Sequence, residues 1–76
     1  MGILSNVSIA QFRAILSALG LVCVRTKGGH EAWSKDGMTR PVIFQTHVDP
    51  IPEFIIRSNL RTLGISREEF IRLLNS

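Results

Sequence analysis

The chain reads as an α+β domain: a three-stranded antiparallel sheet with helices packed on one face, in the order α-β-β-β-α(-α). Apolar residues recur at helical spacing before Gly20 and again after Pro52. The stretch between them is divided into short apolar runs by Gly28-Gly29 and Asp36-Gly37. With 76 residues, 45% of them apolar, the chain has material for one domain, residues 1–76, around one thin core. That size leaves no room for a deep closed cleft, so any catalysis is expected on an open face.

Ser8 opens the first helix. Ser8 and Gln11 stand at capping-box spacing, where each side chain satisfies the other residue's backbone N–H. Ile9, Phe12, Ile15, Leu16 and Leu19 then share one stripe, and Gly20 stops the helix, which predicts a span from Ile9 to Leu19. Leu21 to Thr26 is a strand. Gly28-Gly29 reverses the chain, and His30 to Ser34 forms the second strand. Asp36-Gly37 signals a hairpin, because both residues tolerate the positive φ of tight turns. Thr39 to Gln45 is the third strand, irregular or at an edge because Pro41 has no N–H to donate. Pro52 suits the first turn of a second helix carrying Ile55, Ile56, Leu60 and Leu63. After Gly64, Ser66 and Glu69 repeat the capping-box pattern ahead of a short helix bearing Phe70, Ile71, Leu73 and Leu74.

Nine Lys and Arg against six Asp and Glu give a net charge of +3, which favours an anionic partner, nucleic acid being the commonest. The lone Cys23 excludes an internal disulfide and, in the run Leu21-Val22-Cys23-Val24, reads as a reduced, buried thiol. No apolar run is long enough to span a membrane. Met1-Gly2-Ile3-Leu4 lacks a basic targeting region, and Asn6 stands where myristoylation favours Ser or Thr. A cytoplasmic setting without membrane attachment is expected.

The run Arg25-Thr26-Lys27-Gly28-Gly29-His30 concentrates the candidate chemistry. Imidazole titrates near neutrality and can take the proton of a ribose 2′-hydroxyl, which then attacks the adjacent phosphorus. Arg25 and Lys27 would offset charge building on that phosphate, and the backbone N–H groups of Gly28 and Gly29 could approach an oxyanion closely. The plain alternative is a surface histidine after an ordinary turn. Strand alternation puts His30, Ala32 and Ser34 on one face and Trp33 on the other. If Trp33 packs under the helices, His30 faces outward, unless a bulge at Gly28-Gly29 reverses the faces. His47, after the third strand, is a second candidate, as leaving-group acid or phosphate contact; a loop histidine held by Asp49 is the alternative. The two histidines lack the further ligands of a zinc site, so no metal is assigned. Arg57 and Arg61, four apart on one helix face, are candidates for phosphate or an acidic partner, or else a solvated face.

These features in sequence resemble the HicA-type (YcfA-like) mRNA interferase toxins. The likeness runs through the first helix ending in Gly20, Arg25, Lys27-Gly28-Gly29-His30, Trp33, Asp36-Gly37, His47, and the ending Leu63-Gly64-Ile65-Ser66-Arg67-Glu68-Glu69-Phe70. The resemblance implies a fold like that of a double-stranded-RNA-binding domain. It also implies RNA cleavage without a metal or other cofactor by the histidine of the glycine turn, here His30, and a partner HicB-like antitoxin that covers the site. That would make the chain the endoribonuclease toxin of a type II toxin–antitoxin pair. The chain departs from the family pattern at Phe54-Ile55-Ile56, where Gly-Thr-Leu is usual, at Asn59, an apolar position in the family, and at Phe44-Gln45-Thr46-His47 in place of Val-Pro-x-His. Phe54-Ile55-Ile56 offers an apolar dimer or antitoxin surface. The departures also admit a second reading, a non-catalytic RNA-binding or regulatory module of the same fold.

Overall fold

In the computed structural model, which describes residues 4–75, a helix α1 (Ile9–Ala18) leads into strands β1 (Val22–Lys27), β2 (His30–Ser34) and β3 (Val42–Gln45). Helices α2 (Glu53–Leu63) and α3 (Arg67–Leu74) follow. The sheet is antiparallel in the order β1-β2-β3, as the alternation of the sequence predicts. The Met1-Gly2 targeting reading lies outside the described residues.

The capping box at α1 is complete. Gln11 N–H donates to Ser8 Oγ at 3.0 Å, and Ser8 N–H donates to Gln11 Oε1 at 2.9 Å. At α3 only half of the expected box forms: Glu69 N–H donates to Ser66 Oγ, while the Glu69 carboxylate turns to Arg72 one helical turn on. Pro52 sits at the N-cap of α2 rather than inside its first turn.

Phe12 from α1 ties the core together. Its ring meets Phe44 of β3 edge-on, centroids 5.1 Å apart, and Phe70 of α3 at 6.1 Å. Leu16, Ile56, Val42 and Leu4 close around these rings, all fully buried. Trp33 is buried on the same side, which settles the facing of β2.

Three expectations need correction. The Asp36-Gly37 turn does form, with Met38 N–H donating to Lys35 O, but the β2–β3 ladder begins only at Trp33 and Val42. The third strand therefore starts at Val42, since Pro41 has no donor for the ladder and the chain before it bends. Cys23 is exposed rather than buried. A register shift between Cys23 and Arg25 places it opposite Trp33, but all of β1 is exposed at the sheet edge, and its thiol rests against Thr26 Oγ1 and Arg25 O, each at 3.6 Å. Of Phe54-Ile55-Ile56, Ile56 is fully buried and Ile55 packs against the core, so only Phe54 is left as exposed apolar surface.

Asn59 has a structural role. Asn59 is 6% exposed, and its amide Nδ2 donates to the Ile43 carbonyl at 3.2 Å. β3 is an edge strand, and an edge carbonyl without a donor is a buried polar cost or a template for another strand. An apolar side chain here would leave that bond unmade.

Candidate active site on the open sheet face

Residues directly opposite in an antiparallel ladder share a face, with Cβ atoms about 5 Å apart. The pairing therefore writes out the open face in two rows. Lys27, His30 and Gln45 form one, and Arg25, Ala32 and Ile43 the next. The opposite face carries Glu31 with Phe44, and Trp33 with Val42, under the helices. The bulge lies near Val24 and not at Gly28-Gly29, so it leaves the facing of His30 intact.

Lys27 and His30 are neighbours because the turn between them has only two residues. Gly28 and Gly29 adopt φ of 58° and 81°, a pair of positive angles that side chains rarely accept. Gly29 is required for a second reason. A Cβ on it would stand 3.0 Å from His47 Nδ1, so the second histidine lies packed on the turn that presents the first. Thr46 fastens this arrangement, donating to the Gly29 carbonyl from its backbone at 2.7 Å and from its hydroxyl at 3.1 Å. Asp49 does not hold His47. Its Oδ1 accepts from Ile9 N–H at 3.2 Å, at the start of α1.

The exposed His30 ring has Nδ1 3.3 Å from the Gly28 carbonyl. A carbonyl only accepts, so this contact is a hydrogen bond when Nδ1 carries the proton. That tautomer leaves the lone pair on Nε2. His30 and Ile43 line two shallow hollows. One, of about 210 Å³, is bordered by Arg25, Lys27 and Glu31, whose carboxylate is taken up by Arg13 and Trp33, and floored by Ala32. The other, of about 270 Å³, is bordered by Gln45, Val48 and Phe54, the last 70% exposed. A cationic hollow and an apolar one thus meet at the imidazole. Among the described residues no group of three His, Cys, Asp or Glu side chains gathers to hold a metal ion.

Comparison with protein-family models, curated proteins and solved structures returns no match.

The face is braced from beneath by a network the sequence does not announce. Glu31 accepts from Arg13 Nε at 3.1 Å, from Arg13 Nη2, and from Trp33 Nε1 at 2.9 Å. The Arg13 bonds, helped by the Trp33 donor, hold its carboxyl below the ordinary value of 4.5 against the opposing effect of burial. A depressed carboxyl lends stability that is complete above the unfolded pKa and is lost as pH falls through the folded one. The urea midpoint should therefore drop as pH falls below the ordinary value of 4.5, and less steeply in Glu31→Gln than in the wild type. Glu31→Ala, which leaves the Trp33 N–H without its acceptor, should cost about 2 kcal/mol at pH 7.

The other candidates are divided by the fold. Arg57 is paired with Glu53 at 2.7 Å on the exposed side of α2. Arg61 lines a separate hollow with Arg40, away from His30. Gln45, Ile43 and Phe54 join His30 unforeseen. Gln45 and Ile43 are placed by the register of β3, which the seven-residue connection from Lys35 to Pro41 sets, and Phe54 is brought by α2.

Proposed function

We propose that the chain is a metal-independent endoribonuclease of the HicA-like kind, with His30 as general base. The observation that supports this best is His30 at an exposed two-glycine turn, in register with Lys27 and one row from Arg25, with His47 packed on Gly29.

In this reading an RNA phosphate lies over the Arg25–Lys27 hollow. His30 Nε2 takes the 2′-hydroxyl proton, and the 2′-oxygen bonds to phosphorus. The P–O5′ bond breaks, and a protonated His47 supplies a proton to the leaving 5′-oxygen. The products are a 2′,3′-cyclic phosphate and a 5′-hydroxyl. Lys27 and Arg25 offset the charge that gathers on the phosphate oxygens. The apolar hollow beside His30, with Phe54 at its rim, suits a neighbouring base, since stacking is indifferent to sequence. The biological substrate proposed is mRNA, and the proposed partner is a HicB-like antitoxin seated over this face. No helix among the described residues is long and apolar enough to cross a membrane.

The test is incubation of the purified protein with a short single-stranded RNA in EDTA, beside its fully 2′-O-methylated counterpart. Cleavage of the first, with a cyclic phosphate end, and none of the second is expected. Scission of the methylated strand would overturn the mechanism. RNA retained without turnover would assign the face to binding alone.

A further inference from the structure

A second polar hollow, of about 270 Å³, lies where the approach to β3 meets the middle of α2. It is lined by Thr39, Arg40, Ser58, Arg61 and Thr62: two guanidiniums, three hydroxyls and no carboxylate. Both arginines are exposed, and neither takes part in the ion pairs of the described residues, which use Arg13, Arg57 and Arg72. Arg57, one turn before Arg61, is neutralised by Glu53, so the uncompensated charge of α2 falls on this side. Ser58, Arg61 and Thr62 are spaced i, i+3, i+4 and share a helix face. The Asn59 bond to the Ile43 carbonyl fixes α2 against β3, so the two halves of the hollow are held in place before any ligand arrives.

Guanidinium forks backed by hydroxyl donors are the chemistry of phosphate recognition. We propose that Arg40 and Arg61, with the Thr39, Ser58 and Thr62 hydroxyls, bind a second phosphate of the RNA strand whose cleaved phosphate lies at His30. This rests on the RNA reading given above. The open face joins the two places. Ile43 lines both the His30 hollow and the one that continues past Asn59 to Arg40. Arg40 lies five residues before Gln45, the cross-strand partner of His30, so the two places are up to about 17 Å apart along the strand. That span exceeds one phosphate-to-phosphate step of a single strand, so the second contact belongs to a nucleotide beyond the immediate neighbour of the cleaved one. The site therefore sets a minimum length for tight substrates and contributes nothing to the shortest.

The test compares a 15-nucleotide with a 3-nucleotide single-stranded RNA. Binding is measured across a salt series with His30→Ala and with the same chain carrying Arg40→Gln and Arg61→Gln. Loss of two phosphate contacts should lower the salt slope for the 15-mer by about 1.4, which is about 25-fold in affinity near 0.1 M salt, and leave the 3-mer unchanged. With His30 restored, the double arginine variant should cut the 3-mer at the wild-type rate, which also shows that it folds. An unchanged slope and affinity for the 15-mer would overturn the second site and leave the nuclease reading standing. Equal losses for both lengths would overturn it as well, by placing the arginines in the His30 centre. Arginine-dependent binding of the 15-mer by a protein that cuts no RNA would overturn the nuclease and keep the site. No binding of either RNA would remove both.

Discussion

His30→Ala should cut RNA at least about 100-fold more slowly than the wild type, because a positioned general base contributes about 10²–10⁴ to rate. Its affinity for an uncleavable 2′-O-methyl RNA should change little. The charges proposed to hold the phosphate sit on Arg25 and Lys27, which the substitution leaves in place. His30 is exposed, and its side-chain bond is to the Gly28 carbonyl two residues away, so stability should shift by no more than about 0.5 kcal/mol. Lys27→Ala should behave in the opposite way, weakening binding with a reduced salt slope. Single-turnover rates and a melting curve on each variant separate these outcomes. A His30→Ala protein that cleaves at the wild-type rate would end the proposal that this imidazole is the base.

Phe12→Ala should lose about 3–5 kcal/mol, the usual cost of removing a fully buried aromatic ring. A domain of this size has roughly 4–11 kcal/mol in total, so the variant loses at least about a quarter of it and should melt well below the wild type. The ring is the only side chain in stacking contact with both Phe44 and Phe70 among the described residues, so its loss opens α1, β3 and α3 together. Val24→Ala is the control. Val24 is 57% exposed on β1 and should change the urea midpoint by no more than about 0.5 kcal/mol equivalent. A Phe12→Ala protein as stable as that control would mean the core is not organised around this ring.

The part of the site built from near neighbours in sequence was readable from the residues. Two adjacent glycines force a two-residue turn, and that turn makes Lys27 and His30 partners whatever the rest of the chain does. Alternation from Trp33 then sends His30 outward, because the largest aromatic of the strand belongs with the core. What depended on distant pairing was not readable. Glu31 finds Arg13 eighteen residues back, and Arg61 finds Arg40 across a connection whose length no local rule fixes. Cys23 misled for a related reason. Its neighbours are apolar, but β1 lies at the edge with no helix over it, and a shift of one register step near Val24 alters the phase of the strand. Asn59 reads as a polar intruder on an apolar helix face until the free carbonyl of Ile43 is seen beside it.

The segment after β3 is moored at both ends. Thr46 fastens it to the glycine turn, while Asp49 and Ile51 fasten it to Ile9 and Val7 at the head of α1. His47 lies between these moorings, so its backbone is held beside the glycine turn from both sides. The stretch that carries it is thus tied to the folding of the whole domain, and damage at Asp49 or Val7, remote in sequence from the glycine turn, would be felt there.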